Sequence, residues 1–210
     1  MNSLLRRQWV KPAVFLLCLL PLVLLGMRAL RSDLGANPIE AITHFTGDWT
    51  LRFLLITLAI TPVRRLLQLP DLIRFRRMLG LWAFFYGSLH MMTWLWLDKF
   101  FDPREMWADV VKRRFITMGM TAFVLLIPLA ITSTRGWIRR LGKRWQRLHR
   151  LIYFSACAGV IHYWWLVKSD IRLPLLYGVI LAVLLGYRLV SAARSTAPAG
   201  SRRAGNAVST

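Results

Sequence analysis

Acidic side chains are the scarcest part of this chain: nine Asp and Glu stand against 29 Lys and Arg in 210 residues, a formal charge of +20. So basic a balance raises the idea of nucleic acid. The cations, however, cap apolar blocks instead of forming one stripe, and no nucleic-acid partner is expected. Cysteine is nearly absent. Cys18 and Cys157 lie inside apolar blocks and outside any C-x-x-C or metal-ligand spacing, which argues against a disulfide framework or structural zinc and for small buried thiols. Long polar stretches are also missing. No loop reaches the roughly 50 residues at which independent domains begin, so no attached soluble domain is expected.

What is present is apolar. A hydrophobic fraction of 56% and a mean hydropathy of +0.46 exclude disorder for the body of the chain, and several blocks approach the ~20 residues that cross a bilayer as a helix. The expected fold is all-α: a polytopic membrane protein of six transmembrane helices, near residues 12–30, 47–63, 78–97, 115–131, 148–167 and 173–190. Residues 1–11 then form a cytoplasmic N-terminus, 12–190 the six-helix domain, and 191–210, rich in Ala, Ser, Gly and Arg, a disordered cytoplasmic tail.

Charge sets the orientation. With the N-terminus inside, 19 basic residues fall in cytoplasmic segments and 10 outside, so the positive-inside rule places both termini in the cytoplasm. Trp9, Trp82, Trp137 and Trp145 then fall near inner ends. Trp49, Trp94, Trp96, Trp164 and Trp165 fall near outer ends, where amphipathic rings favour the headgroup region. Arg6-Arg7 before an apolar run faintly resembles a twin-arginine signal, but Gly26-Met27-Arg28-Ala29 is a poor cleavage site, and an uncleaved first span is expected.

Four histidines occur: His44, His90, His149 and His162. Polar groups inside a membrane are costly and functional by default. His90 lies 13 residues beyond the cytoplasmic Arg77, and His162 lies 13 beyond His149, each step about 20 Å of helix. His90 and His162 therefore share one level in the outer half of the bilayer. Two imidazoles on neighbouring helices at one depth suit bis-histidine haem ligation in a bundle core. His149 marks an inner level. Its partner on span three, four turns before His90, is Arg76, a poor iron ligand because it stays protonated. The inner site is left open between a five-coordinate haem, an arginine-assisted haem and none. An ideal 13-residue step also rotates by about 220°, so a bulge or bend must bring His149 and His162 to one interior.

The pair His149-x12-His162, with His90 on another span, resembles the ferric-reductase-like transmembrane family, shared with NADPH oxidases. Further stretches resemble one branch of it, the haem-binding membrane subunits of bacterial periplasmic methionine-sulfoxide reductase systems. They are Leu34-Gly35-Ala36-Asn37-Pro38-Ile39-Glu40, Thr43-His44-Phe45-Thr46-Gly47, Ile60-Thr61-Pro62-Val63-Arg64, Arg76-Arg77-Met78-Leu79-Gly80-Leu81, Trp145-Gln146-Arg147-Leu148-His149-Arg150-Leu151-Ile152-Tyr153 and His162-Tyr163-Trp164-Trp165. The resemblance implies a multi-pass protein of the bacterial inner membrane. It would carry electrons from the quinone pool or a cytoplasmic flavin reductase through haem b to a periplasmic molybdopterin-containing reductase, its heterodimer partner, which repairs oxidised methionines. It implies flavin mononucleotide as a second cofactor, although no flavin motif is visible. It makes His90, His162 and His149 the axial iron ligands, and it makes Arg76, Arg147 and Arg150 candidate contacts to an inner haem or flavin. The chain would be an electron-transfer subunit without a substrate-reducing site. Because it ends at Thr210, its donor is expected to be a separate molecule.

Weaker features complete the reading. His44 reads as a solvated or capping residue of the first outer loop, with metal or quinone contact as the alternative. Asp48 with Arg52 reads as an i, i+4 ion pair, with contact to a haem propionate or quinone as the alternative. The run from Arg135 to Arg150 reads as a topology anchor on anionic lipid or a dock for an acidic donor. Asp98, Asp102, Glu105 and Asp109 read as an outer acidic loop, solvated or facing the partner. Two rival functions remain: a proton or ion transporter using His90, His162 and Arg76, against which no internal repeat is seen, and a structural anchor for a periplasmic enzyme.

Overall fold

The computed structural model describes residues 8–196, and within them all regular structure is helical. Arg6 and Arg7, and the tail beyond Thr196 with Arg202 and Arg203, lie outside the described residues. Among the described residues nine helices follow one another: α1 Val10–Leu30, α2 Pro38–Leu66, α3 Ile73–Met92, α4 Pro103–Lys112, α5 Arg114–Ile131, α6 Arg135–Leu141, α7 Lys143–Leu148, α8 Leu151–Leu166 and α9 Arg172–Thr196. A 3-10 turn, Pro70–Leu72, leads into α3, and a π-helical turn, Thr93–Asp98, extends it. By length and composition α1, α5 and α9 are each able to cross a membrane. Their outward faces carry bare aliphatic side chains, with Leu16 63% and Val183 65% exposed. An apolar surface of that extent belongs in lipid. This is a membrane protein.

Local chemistry sets the helix ends. Asn37 caps α2 by accepting from the Glu40 N–H at 3.3 Å, with Pro38 in the first turn. α2 therefore begins well before the expected residue 47, and His44 lies on a helix rather than in a loop. Asp102 caps α4 in the same way, accepting from Arg104 N–H at 2.8 Å. Three further expectations are corrected. The tail does not become irregular at Ser191: α9 runs to Thr196, because Ala192, Ala193 and Arg194 are strong helix formers. The outer connection is not a plain loop, since it folds as α4. Trp82 does not present its ring to a headgroup surface. It is buried among Phe15, Phe53, Phe85 and Tyr86.

Prolines shape the bundle because each breaks a backbone ladder, and in lipid the freed groups need partners from other helices. Beside Pro21 the fully buried Tyr86 hydroxyl bridges the gap, accepting from Leu22 N–H at 3.1 Å and donating to Cys18 C=O at 3.0 Å. Pro62 withholds a donor from the Leu58 carbonyl four residues earlier. Arg188 of α9 supplies one at 2.9 Å and also donates to Tyr153 at 2.6 Å, tying α2, α8 and α9 together. Tyr86→Phe is expected to lower stability by about 1–3 kcal/mol, the cost of orphaned buried backbone groups. Thermal unfolding in detergent measures it; an unchanged midpoint would remove the bridge from the account.

The core consists of two helix hairpins, α2 with α3 and α5 with α8. Small residues let the second pair close: Ser155 is fully buried and donates to Ala122 C=O at 2.8 Å. The two hairpins share short local matches. Gly87-Ser88-Leu89-His90 is matched by Gly159-Val160-Ile161-His162, and Leu58-Ala59-Ile60-Thr61 by Leu129-Ala130-Ile131-Thr132. The matches are hard to see along the chain because only a few positions in each hairpin coincide.

Candidate cofactor site

His90 on α3 and His162 on α8 face each other across the hairpins, with ring centroids 6.0 Å apart and planes at 77°. Each ring is held in the same way. His90 Nδ1 lies 2.9 Å from the Thr43 carbonyl of α2, and His162 Nδ1 lies 2.6 Å from the Phe115 carbonyl of α5. Both bonds span 47 residues of sequence. A carbonyl only accepts, so each Nδ1 carries the proton and each Nε2 keeps a free lone pair, the tautomer a metal-binding imidazole needs. Behind each ring stands a glycine, one helical turn beyond that carbonyl. A Cβ on Gly47 would lie 3.0 Å from His90 Cε1, and a Cβ on Gly119 only 2.7 Å from His162 Nδ1.

The rings open into a cavity of about 540 Å³. Gly47, Gly87, Gly119 and Gly159 thin its walls, and Leu51, Leu54, Phe123 and Leu126 make it apolar. Its polar lining includes His44, Asp48, Asp98 and Arg113, and it is called the outer cavity after the orientation expected from the charge distribution. Its volume is within the range of small-molecule sites. A metal bound about 2 Å from each imidazole nitrogen needs a ring separation of this size. Paired free nitrogens, glycine cradles and an apolar slot fit a flat metal macrocycle.

Comparison with known proteins bears on the same residues. The family model described as "Ferric reductase like transmembrane component" matches residues 46–160, which include His90, His149 and both cradle glycines. The chain is 60% identical to a protein of Herminiimonas arsenicoxydans over 183 residues, covering 86% of this chain and 84% of that one. It is 54% identical to one of Rhodospirillum rubrum over 94% and 92% of the two chains. A third, from Xanthomonas campestris pv. campestris, is 55% identical over 89% and 90%. All three are named "Protein-methionine-sulfoxide reductase heme-binding subunit MsrQ".

The chain belongs to the MsrQ branch of the ferric-reductase-like transmembrane family.

No solved structure matches it. Within this family frame, the third histidine stands apart. His149 is not on the helix of His162. It follows α7 as its C-terminal cap, and α8 begins two residues later. The expected continuous span from residue 148 is corrected accordingly, and this break supplies the bend that the 220° rotation demanded. His149 Nδ1 lies 3.1 Å from the Trp145 carbonyl and its ring stacks on Trp145 at 3.8 Å, while its buried Nε2 has no hydrogen-bond partner among the described residues. A buried ring nitrogen without a well-formed hydrogen bond calls for an explanation, the ring's other backbone interaction being with Leu129. It lines a second, inner cavity of about 330 Å³ with Arg76, Arg77, Arg150 and Tyr153, and among the described residues no carboxylate lines that cavity. Arg147 is exposed and lies outside this lining. Arg76 occupies the place in Arg74-Phe75-Arg76-Arg77-Met78-Leu79 that His149 holds in Arg147-Leu148-His149-Arg150-Leu151-Ile152.

Between the cavities, Phe84 of the inner lining and Phe123 of the outer stack at 5.7 Å with planes 7° apart. The remaining sequence candidates make the following contacts. Asp48 pairs with Arg52 at 3.4 Å, as expected, and Arg52 donates to Tyr177 at 3.0 Å. His44 Nε2 faces Glu40 at 3.9 Å. Of the acidic stretch, Asp102 is a cap, while Asp98 and Asp109 both pair with Lys99. The residues that sequence reasoning missed are Gly47 and Gly119. The equal spacing of glycine and histidine in the two hairpins was the available signal for the glycines.

Proposed function

We propose that this protein is a membrane electron-transfer subunit. It holds haem b between His90 and His162 and passes electrons to a periplasmic molybdopterin-containing methionine-sulfoxide reductase for repair of oxidised periplasmic proteins. The observation that carries the reading is the pair of facing imidazoles whose Nδ1 atoms are engaged by backbone carbonyls. The name borne by the relatives supports the cofactor and the partner. Bound haem supplies reversible one-electron chemistry at iron. The chain's own residues do the positioning. Thr43 and Phe115 fix the imidazole tautomers, Gly47 and Gly119 admit the rings, and the Leu and Phe walls keep water out. The substrate-reducing site belongs to the partner.

In this reading the bundle crosses the bacterial inner membrane six times, through α1, α2, α3, α5, α8 and α9, as one domain over residues 12–190 with both termini cytoplasmic. The distribution of 19 inner and 10 outer basic residues supports it. The inner cavity faces the donor, either the quinone pool or a cytoplasmic flavin reductase. Its three guanidiniums, with no carboxylate among the described lining residues, suit an anionic planar group, a second haem or flavin mononucleotide, with His149, Arg76 and Arg150 as the contacts and the Phe84–Phe123 stack between the two sites. Arg147 and the neighbouring basic residues serve the membrane surface.

Protein purified from haem-replete cells is expected to be red, with low-spin reduced-minus-oxidised bands and at least one haem per chain. A colourless preparation would overturn the reading and return the buried polar residues to helix packing or proton transfer.

A further inference from the structure

We propose that Arg113 binds the carboxylate groups of the macrocycle in the outer cavity. The assignment rests on the haem reading above, because the b-type macrocycle carries two propionates and they need a partner. Three carboxylates line the cavity, Glu40, Asp48 and Asp98, and among its lining residues Arg113 is the one Arg or Lys. Placing further carboxylates beside those three would be repulsive, so the balance of charge directs them to Arg113.

The other groups at the rim are engaged. Glu40 accepts from Asn37 Nδ2 at 3.0 Å, Asp48 has Arg52 at 3.4 Å, and Asp98 has Lys99 at 3.4 Å. Arg113 also has a partner, Asp109, with Nε 3.3 Å from Oδ1. That partner is served twice: Lys99 Nζ lies 2.9 Å from the other oxygen, Oδ2. Arg113 can therefore turn toward a new carboxylate without stranding a buried anion. Burial alone would raise the Asp109 pKa, but the hydrogen bond from Lys99 and the charge of Arg113 outweigh it and hold the carboxyl below its usual range. The Arg113 side chain is 53% exposed and its Asp109 partner only 12%; the exchange costs little because Lys99 keeps the buried carboxylate paired.

Position favours the same exchange. Arg113 stands in extended backbone at the junction of α4 and α5, as the residue preceding an 18-residue helix that has no side-chain cap. The positive end of that helix favours an anion there. Two residues further on is Phe115, whose carbonyl holds His162. One short segment thus anchors an axial imidazole and presents the guanidinium.

The test uses full-length holoprotein. Arg113→Gln should speed haem loss to excess apomyoglobin about tenfold or more, the scale of a lost charge-assisted hydrogen bond, and lower the haem midpoint potential, since a nearby cation stabilises the more negative reduced form. Arg113→Lys should fall between Arg113→Gln and wild type. Arg114→Gln, the neighbour outside the cavity lining, should match wild type. Lys99→Met leaves Asp109 to Arg113 alone and should also speed haem loss, which decides the matter if Arg113→Gln proves unstable. Wild-type transfer rate and potential in Arg113→Gln, or a wild-type rate in Lys99→Met, would overturn the assignment. A red wild-type protein with an unaltered Arg113→Gln variant sinks this inference alone, whereas a wild type without haem sinks the haem reading with it.

Discussion

His90→Ala and His162→Ala are each expected to abolish the low-spin haem spectrum and leave the chain folded. Either change removes one of two facing nitrogen ligands, and neither remaining histidine stands opposite the other ligand: His149 lines the other cavity, and His44, in the lining of this one, lies 3.9 Å from Glu40. The structural cost is small. Each substitution orphans one carbonyl, Thr43 or Phe115, worth about 1–3 kcal/mol, so helical circular dichroism should persist. His44→Ala should keep the wild-type spectrum. An unaltered spectrum in both alanine variants would show that the iron ligands lie elsewhere.

Gly119→Ala is expected to approach the histidine variants in effect without touching a ligand. The added Cβ would lie 2.7 Å from His162 Nδ1 and 2.9 Å from Cε1, closer than atoms tolerate. The ring must leave its carbonyl or α5 must withdraw from α8. Alanine stabilises a helix interior by roughly 1 kcal/mol relative to glycine, so loss of haem cannot be ascribed to a weakened α5. Haem retention should fall severalfold and the low-spin signal should broaden or convert to high spin, while thermal stability of the haem-free protein stays level. Gly47→Ala, whose nearest approach is 3.0 Å, should show the milder form. A haem-to-protein ratio and electron paramagnetic resonance spectrum equal to wild type in Gly119→Ala would show that the cradle is incidental.

Depth along the chain is legible in the sequence, because a helix rises by a constant ~1.5 Å per residue. That regularity puts His90 and His162 at one level, and the folded bundle brings their rings together. The same reasoning fails at His149, because it assumes one helix from residue 148 to 167. Gly142, at φ +50°, separates α6 from α7, and the chain breaks again after Leu148, so His149 is aimed by a turn rather than by helical phase. The Asp98–Lys99–Asp109–Arg113 cluster is likewise invisible as a unit in the sequence. Its charges look like a solvated loop until the π-helical turn brings Lys99 against α4.

By itself the sequence determined the properties that depend on composition and on regular rise: an apolar, all-helical chain for the membrane, its cationic boundaries, and a histidine pair at one depth. These properties need only transfer free energies and helix geometry, and both are local. The tertiary structure alone decided which carbonyls hold the imidazoles, why Gly47 and Gly119 carry no side chain, how Arg188 and Tyr86 serve the backbone groups beside Pro62 and Pro21, and where Arg113 faces. Each of these is a contact between helices distant in sequence. Its existence depends on how two surfaces meet, which no periodicity along one chain encodes.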